Sequence, residues 1–152
     1  MGSIVPIDVT PLLDEEVRTF LDQGLINEDK PLHLLVYGTL LDRNRRRAFL
    51  GRDDLTHPIR VILHGFRRTT LAIDGDKFPN LVHNSTSTVY SAEVVQVFIP
   101  ELLFLNRYET DAYTLRKVQP NYYPGPFTFA YFGRETWREW EESQIPRRRK
   151  AT

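Results

Sequence analysis

The sequence predicts a single α+β domain in which a mixed sheet or small β-barrel is surrounded by short helices. About five strand-like segments alternate irregularly with helical ones, without the regular strand–helix rhythm of a doubly wound parallel fold. The 152 residues correspond to about one domain, and no repeat or linker divides them. With 41% hydrophobic and 26% charged residues, the chain has the composition of an ordinary globular protein.

A helix is predicted near the N-terminus. Thr10 can cap the first free amides, Pro11 suits the first helical position, and Gly24 is the predicted end. Apolar residues recur along this segment at helical spacing, at Leu13, Val17, Phe20 and Leu21. The stripe indicates a helix that packs on the rest of the protein, and we assign residues 1–30 to an N-terminal helical extension.

The remaining elements follow from apolar runs, capping residues and turn signals. Asp42 is a predicted helix cap, Gly51 a predicted helix end, and Asp74-Gly75 a hairpin turn. Strands are predicted at 32–36, 59–70, 88–99, 113–118 and 127–132, and helices at 43–50, 100–108 and 135–142. We assign residues 31–143 to the main domain and residues 144–152 to a basic tail.

Charge and composition exclude several classes of function. The 20 basic residues balance 20 acidic ones, so no overall field attracts nucleic acid or an anionic membrane. The absence of cysteine excludes disulfides and thiolate chemistry. No apolar run approaches the ~18 residues of a membrane span, and the N-terminus does not resemble a signal peptide. We therefore expect a cytoplasmic protein with no membrane partner.

Neither a cofactor nor a metal is predicted. The Gly-x-Ser-x-Gly, Gly-x-Gly-x-x-Gly and phosphate-loop signatures are absent. The four histidines, His33, His57, His64 and His83, are never paired at ligand spacing on one helix.

Arginines are concentrated in one short segment. Arg43, Arg45, Arg46, Arg47 and Arg52 could bind phosphate or nucleic acid, but consecutive arginines spread around a helix. We favour a solvated face that pairs with acids such as Asp53 and Asp54.

Glu109 is the acid with the most informative position. In the helix from Pro100, Leu102, Leu105 and Glu109 fall at i, i+3 and i+7, so the carboxylate continues an apolar stripe. Burial there would raise its pKa toward the range of a general base. The alternative is that the helix ends earlier and Glu109 faces solvent or pairs with Arg107 or Arg116. Periodicity leaves both interpretations open.

The segment Tyr37-Gly38-Thr39-Leu40 joins an apolar strand to a loop. Glycine at this point allows backbone amides to approach a ligand closely, and free amides can hold a carboxylate or carbonyl oxygen. The alternative is an ordinary strand-exit turn.

Five short strings between residues 34 and 118 are informative through their order and spacing. They are Leu-Leu-Val-Tyr-Gly-Thr-Leu-Leu-Asp at 34–42, Leu-His-Gly-Phe-Arg-Arg at 63–68, Phe-Pro-Asn-Leu-Val at 78–82, Val-Tyr-Ser-Ala-Glu-Val at 89–94 and Leu-Asn-Arg-Tyr-Glu at 105–109, the last followed by Tyr113. In combination they resemble the γ-glutamylcyclotransferase-like superfamily, especially its avirulence-induced-gene-like branch.

The resemblance implies a small mixed β-barrel of about five to six strands with peripheral helices. It further implies that Tyr37, Gly38, Thr39 and Leu40 bind a glutamyl group through backbone amides, that Tyr113 contributes to substrate binding, and that Glu109 is the acid/base. The implied reaction releases an amine from a γ-glutamyl amine, amino acid or peptide and forms 5-oxoproline. It requires no cofactor, and the only implied partner is the small-molecule substrate.

A second hypothesis is a catalytically silent member of the same fold that binds a small ligand or a protein partner. It is motivated by differences around the acid, among them Asn106 where the family usually has Asp. The sequence leaves the oligomeric state open.

Overall fold

The protein folds around one five-stranded sheet with the strand order β2-β3-β1-β5-β4. The computed structural model describes residues 14–125 and 127–150, with side chains up to Ile145. Neighbouring strands are antiparallel except β1 and β5, which are parallel. The strands are β1 (Leu32–Val36), β2 (Ile59–Ile73), β3 (Asp76–Val97), β4 (Tyr113–Val118) and β5 (Thr128–Gly133).

The sheet curls into a half-barrel, and the long β2–β3 hairpin produces much of this curvature. The pairing of β2 with β3 shifts between Val61 and Leu63 and again between His64 and Phe66. Such bulges bend a strand and increase its twist. A bridge from Ile62 to Asn121 then joins β2 to the segment that follows β4, at the other edge of the sheet.

In the described part of the chain four α-helices lie around the sheet, and the ends of two of them show local capping. The Asp42 side chain accepts hydrogen bonds from the Asn44 and Arg45 amides at 2.8 and 3.3 Å, and Gly51 ends the same helix with φ 70°. The Glu101 carboxylate accepts from the Phe98 amide at 2.8 Å. The helices are α1 (Glu15–Asp22), α2 (Arg43–Leu50), α3 (Ile99–Glu109) and α4 (Arg134–Lys150).

Both faces of β1 are buried, so its side chains contribute to two core clusters. Leu34 packs on the side of α3, whereas Leu35 packs with β2, β3 and β5 residues on the other side. Val17 of α1 is completely buried in the first cluster, with Phe20 and Leu21 packed against it. The predicted stripe of the N-terminal helix is thus confirmed for these three residues. Thr10, Pro11 and Leu13 lie outside the described residues.

The strand and helix predictions agree with the structure apart from several boundaries. The strand after the Asp74-Gly75 turn begins at Asp76 and not at residue 88, because residues 76–83 pair with residues 66–73 of β2. The last helix was predicted to end at Glu142 but continues to Lys150, into the segment assigned to the basic tail. The strand predicted from Phe127 begins at Thr128. Two residues of the predicted 37–40 loop, Thr39 and Leu40, begin a short 3-10 turn.

The arginine-rich segment pairs with acids, as predicted. Arg43 and Arg47 face Asp53 at 3.9 and 3.5 Å, and Arg46 binds Asp54 at 2.7 Å. The expectation of a wholly solvated face is wrong, however, since Arg46 is only 3% exposed.

None of the described helices has both the length and the apolar character needed to cross a membrane.

Candidate active site

A cavity of about 140 Å³ lies where the loop after β1, the far end of the β2–β3 hairpin and the end of α3 come together. Strands β4 and β5 complete its base. Its lining is largely apolar and aromatic, which is typical of small-molecule sites. The lining residues are Leu35, Val36, Tyr37, Gly38, Thr39, Leu40, Ile73, Phe78, Pro79, Tyr108, Glu109, Thr110, Tyr113 and Tyr131.

The loop after β1 approaches the hairpin so closely that only glycine fits at residue 38. A Cβ added to Gly38 would lie 2.6 Å from Cβ and 2.7 Å from Cγ of Pro79. The Gly38 carbonyl accepts the Leu41 amide at 2.9 Å. Among the described residues, none accepts a hydrogen bond from the amides of Gly38, Thr39 or Leu40. These amides are therefore free to hold an anionic or carbonyl oxygen of a ligand.

Glu109 is the last residue of α3 and lines the same cavity. Leu102 and Leu105, on the same stripe of the helix, are each 1% exposed. The helix ends immediately afterwards at Thr110, a non-glycine residue with φ 62°. Burial raises the pKa of the Glu109 carboxyl from 4.5 to about 7. Near neutral pH this group can therefore both accept and donate a proton.

The alternative interpretation of Glu109 does not hold in the structure. The helix includes Glu109, and the carboxylate forms no ion pair or hydrogen bond with any described residue. Arg116 instead faces Glu16 at 3.7 Å and Glu141 at 3.9 Å. Glu109 is thus a half-buried acid without a compensating cation among residues 14–125 and 127–145.

Three of the four tyrosines that line the cavity donate their hydroxyl protons to protein acceptors. Tyr37 donates to the Tyr131 carbonyl at 2.5 Å, and Tyr113 donates to the Pro79 carbonyl at 2.6 Å. Tyr131 donates to the Asn106 side-chain oxygen at 2.5 Å. Burial and the nearby Glu109 charge raise the pKa of all three phenols. They remain neutral and hold the walls of the cavity in place.

Every residue that the sequence singled out for this site lines the cavity: Tyr37, Gly38, Thr39, Leu40, Glu109 and Tyr113. The sequence did not single out the other lining residues, which are Leu35, Val36, Ile73, Phe78, Pro79, Tyr108, Thr110 and Tyr131. The string at 78–82 was noted, but nothing local indicated that a hairpin distant in sequence would cover Gly38. Tyr131 lies in the strand predicted over 127–132, and it is buried as well as lining the cavity.

Within the described residues, no group of three His, Asp or Glu side chains is arranged to hold a metal ion. Besides the three bonded tyrosines, the lining residues carry the Glu109 carboxyl, the hydroxyls of Thr39, Thr110 and Tyr108, and the loop amides. The Thr110 hydroxyl accepts from the Ala112 amide at 3.3 Å.

Comparison with known proteins identifies both the family and the fold. The family model described as "Gamma-glutamyl cyclotransferase, AIG2-like" matches residues 34–145. The solution structures of At3g28950.1 and At5g39720.1 from Arabidopsis thaliana are each 18% identical to this chain, with TM-scores of 0.55 and 0.57. Each comparison covers 80% of this chain. It covers 81% of the At3g28950.1 chain and 88% of the At5g39720.1 chain. At this identity the likeness concerns the fold alone. No curated protein matches the sequence.

Proposed function

The chain belongs to the γ-glutamylcyclotransferase, AIG2-like family, and from this premise we propose that its cavity cyclises a γ-glutamyl amine, amino acid or peptide to 5-oxoproline. The observation that carries the proposal is the position of Glu109. A carboxyl with a pKa raised to about 7 lines one cavity together with the free amides of residues 38–40. The proposed reaction needs a proton acceptor and an oxyanion site within reach of the same substrate.

The proton transfers can be assigned to the single carboxyl of Glu109. As a carboxylate it takes a proton from the substrate α-ammonium, and the freed amine attacks the γ-carbonyl carbon of the same molecule. A carbon–nitrogen bond forms, and the tetrahedral oxyanion is stabilised by loop amides. The bond to the leaving nitrogen then breaks as Glu109 returns the proton to the departing amine. The ring nitrogen gives up its remaining extra proton to the released amine, so the products are 5-oxoproline and the amine in its ammonium form.

Holding the substrate in a bent conformation within the cavity supplies much of the expected increase in the rate of cyclisation. Because attack is intramolecular, the protein has only to hold the glutamyl chain with its amine near its own γ-carbon. The tight Gly38–Pro79 contact and the tyrosine hydrogen bonds give the cavity rigid walls for this purpose. Neutral Asn106, one turn before Glu109 on α3, accepts from Tyr131 and adds no second negative charge.

The test is direct detection of 5-oxoproline from a panel of γ-glutamyl compounds, with wild type beside Glu109→Gln. Glutamine has nearly the same shape but cannot take up a proton, so turnover should fall by ~10² to 10⁴ while binding persists. Glu16→Gln is the matched control. Burial also raises the pKa of Glu16, but this residue pairs with Arg116 and does not line the cavity.

Retention of full turnover by Glu109→Gln would disprove the assigned role of the carboxyl. If wild type binds γ-glutamyl compounds but releases no 5-oxoproline from any of them, the catalytically silent alternative is the correct one.

A further inference from the structure

A second cavity, of about 320 Å³, lies between α2, the segment that joins α2 to β2, and strand β3. It shares no lining residue with the candidate active site. The two cavities are nevertheless neighbours along the chain, because Leu40 lines the first and Leu41 lines the second. The proposed function makes no use of this second cavity.

The second cavity is lined by two cations and two acids, so its formal charges cancel. They are Arg43, Arg46, Asp54 and Glu93. Arg46 and Asp54 already satisfy each other through two hydrogen bonds of 2.7 Å, and Arg46 also donates to the Leu40 carbonyl at 2.6 Å. The charges left for a ligand are therefore the carboxylate of Glu93 and the guanidinium of Arg43.

Glu93 is the acid of the second cavity that lacks a partner. It is half-buried near the end of β3, in register with Val36 of β1 and Arg60 of β2. Among the described residues no cation lies within ion-pair distance of its carboxylate. The pKa of Arg46 is raised mainly by its hydrogen bond to Asp54 and to a smaller extent by the Glu93 charge. A half-buried carboxylate in this position favours a ligand that brings an ammonium group.

Donors for a ligand carboxylate come from the other walls of the second cavity. Arg43 lies on α2, is largely exposed and is held only loosely by Asp53, at 3.9 Å. Thr56 adds a hydroxyl to the lining. Among the described residues, none accepts a hydrogen bond from the amides of residues 55–57. A guanidinium, a hydroxyl and free amides are all groups that bind carboxylates.

The remaining lining of the second cavity is apolar. Leu41, Leu55 and Pro58 contribute to it, and Leu55 is 42% exposed. A ligand that covered these side chains would remove apolar surface from water. The cavity thus combines one free acid, one free cation and an apolar wall.

We propose that the second cavity binds a free α-amino acid with an apolar side chain. Its ammonium pairs with Glu93, its carboxylate binds Arg43 and the 55–57 segment, and its side chain packs on Leu41 and Leu55. A ligand with one charge alone would leave either Glu93 or Arg43 without a counter-charge. The inference is independent of the proposed function, because it concerns different residues and requires no turnover.

The test follows the imidazole C–H signals of His57 by NMR while L-leucine is added to the full chain. His57 lines the second cavity, none of the four histidines lines the candidate active site, and His57→Asn assigns the signal. Two reference ligands, 3-methylbutylamine and 4-methylpentanoate, each lack one of the two charges of L-leucine. Wild type should bind L-leucine at least about tenfold more tightly than either, because each loses a charged hydrogen-bonding group.

Two substitutions separate the two charges. Glu93→Gln should remove the preference for L-leucine over 4-methylpentanoate, and Arg43→Gln should remove the preference over 3-methylbutylamine. Because the Arg43 side chain is exposed, its variant tests the proposal even if Glu93→Gln does not fold. Asp76→Asn is the matched control, since Asp76 is exposed at the start of β3 outside the second cavity and should leave all three affinities unchanged.

Equal binding of the three compounds by wild type would overturn the proposal, as would folded variants that keep both preferences. It would also be overturned if the His57 signal did not shift at about 10 mM L-leucine, where a site with a dissociation constant near 1 mM is almost filled. Glu109→Gln should leave the L-leucine titration unchanged. Loss of the His57 shift in that variant would place the amino acid in the candidate active site and contradict the second site.

Discussion

Two arginines near α2 that are buried or half-buried have close partners of opposite charge, whereas Glu109 in the cavity has none among the described residues. Near α2 the buried Arg46 is held by two hydrogen bonds of 2.7 Å to Asp54, and the half-buried Arg52 by bonds of 2.8 and 2.5 Å to Glu101. In the cavity Glu109 has no such partner among the described residues, and burial raises its pKa to about 7. The two regions differ in pairing more than in burial.

This difference separates a structural role from a chemical one. A paired buried charge keeps a fixed protonation state and ties segments together, as Arg46 does when it also donates to the Leu40 carbonyl at 2.6 Å. An unpaired buried acid costs stability at neutral pH but can change its protonation state there. Arg46 thereby supports, from outside the cavity, the loop that lines it opposite α3 at residues 38–40.

The largest stability effect is expected from breaking the α2 pair. Asp54→Ala leaves the Arg46 guanidinium buried without a counter-charge, and the free energy of unfolding should fall by roughly 3 to 5 kcal/mol. Urea denaturation of the variant beside wild type measures this loss. A change within ~0.5 kcal/mol would show that the pair contributes little and would remove the contrast with Glu109.

A smaller effect of opposite sign is expected from Glu109→Gln. The pKa of Glu109 is raised on folding, so its contribution to stability is fully present below pH 4.5 and is lost as the pH rises through about 7. Glutamine does not titrate. Between pH 5 and pH 8, the free energy of unfolding of the variant should therefore rise relative to that of wild type, by up to roughly 3 kcal/mol.

Denaturation midpoints across that pH range check the prediction, with Glu139→Gln on the exposed face of α4 as the control. A stability difference between Glu109→Gln and wild type that stays constant with pH would mean that Glu109 is not a buried acid of raised pKa.

The smallest effect concerns the apolar contact that closes the cavity. Gly38→Ala places a Cβ 2.6 Å from Pro79 Cβ and 2.7 Å from its Cγ, so the hairpin or the loop must move. Overpacking of this kind costs ~1 to 3 kcal/mol. The cost should shrink when the same substitution is made in a Pro79→Gly background, because that change removes both atoms.

The measurement is a double-mutant cycle of unfolding free energies. Additive losses from the two substitutions would show that Gly38 and Pro79 are not coupled, and that the contact does not define the cavity wall.

Much of the fold could be predicted because its signals are local. Three predicted features depend on the preferences of single residues and are found where predicted. They are the helix cap at Asp42, the helix end at Gly51 and the hairpin turn at Asp74-Gly75. The first half of β3 could not be predicted, because residues 76–83 become a strand through pairing with residues 66–73 of β2. A strand that is stabilised by its pairing partner carries little signal in its own residues.

The sequence by itself determined that an acid follows the apolar stripe of α3 and that a glycine follows the apolar strand β1. Helical period and strand length are encoded by nearby residues, so these two features could be found without a structure. Only the tertiary structure decided that Glu109 has no described cation beside it, that Arg46 is buried, and that Pro79 packs on Gly38. Those properties arise between segments far apart in the chain, where burial and charge pairing depend on three-dimensional neighbours and not on sequence spacing.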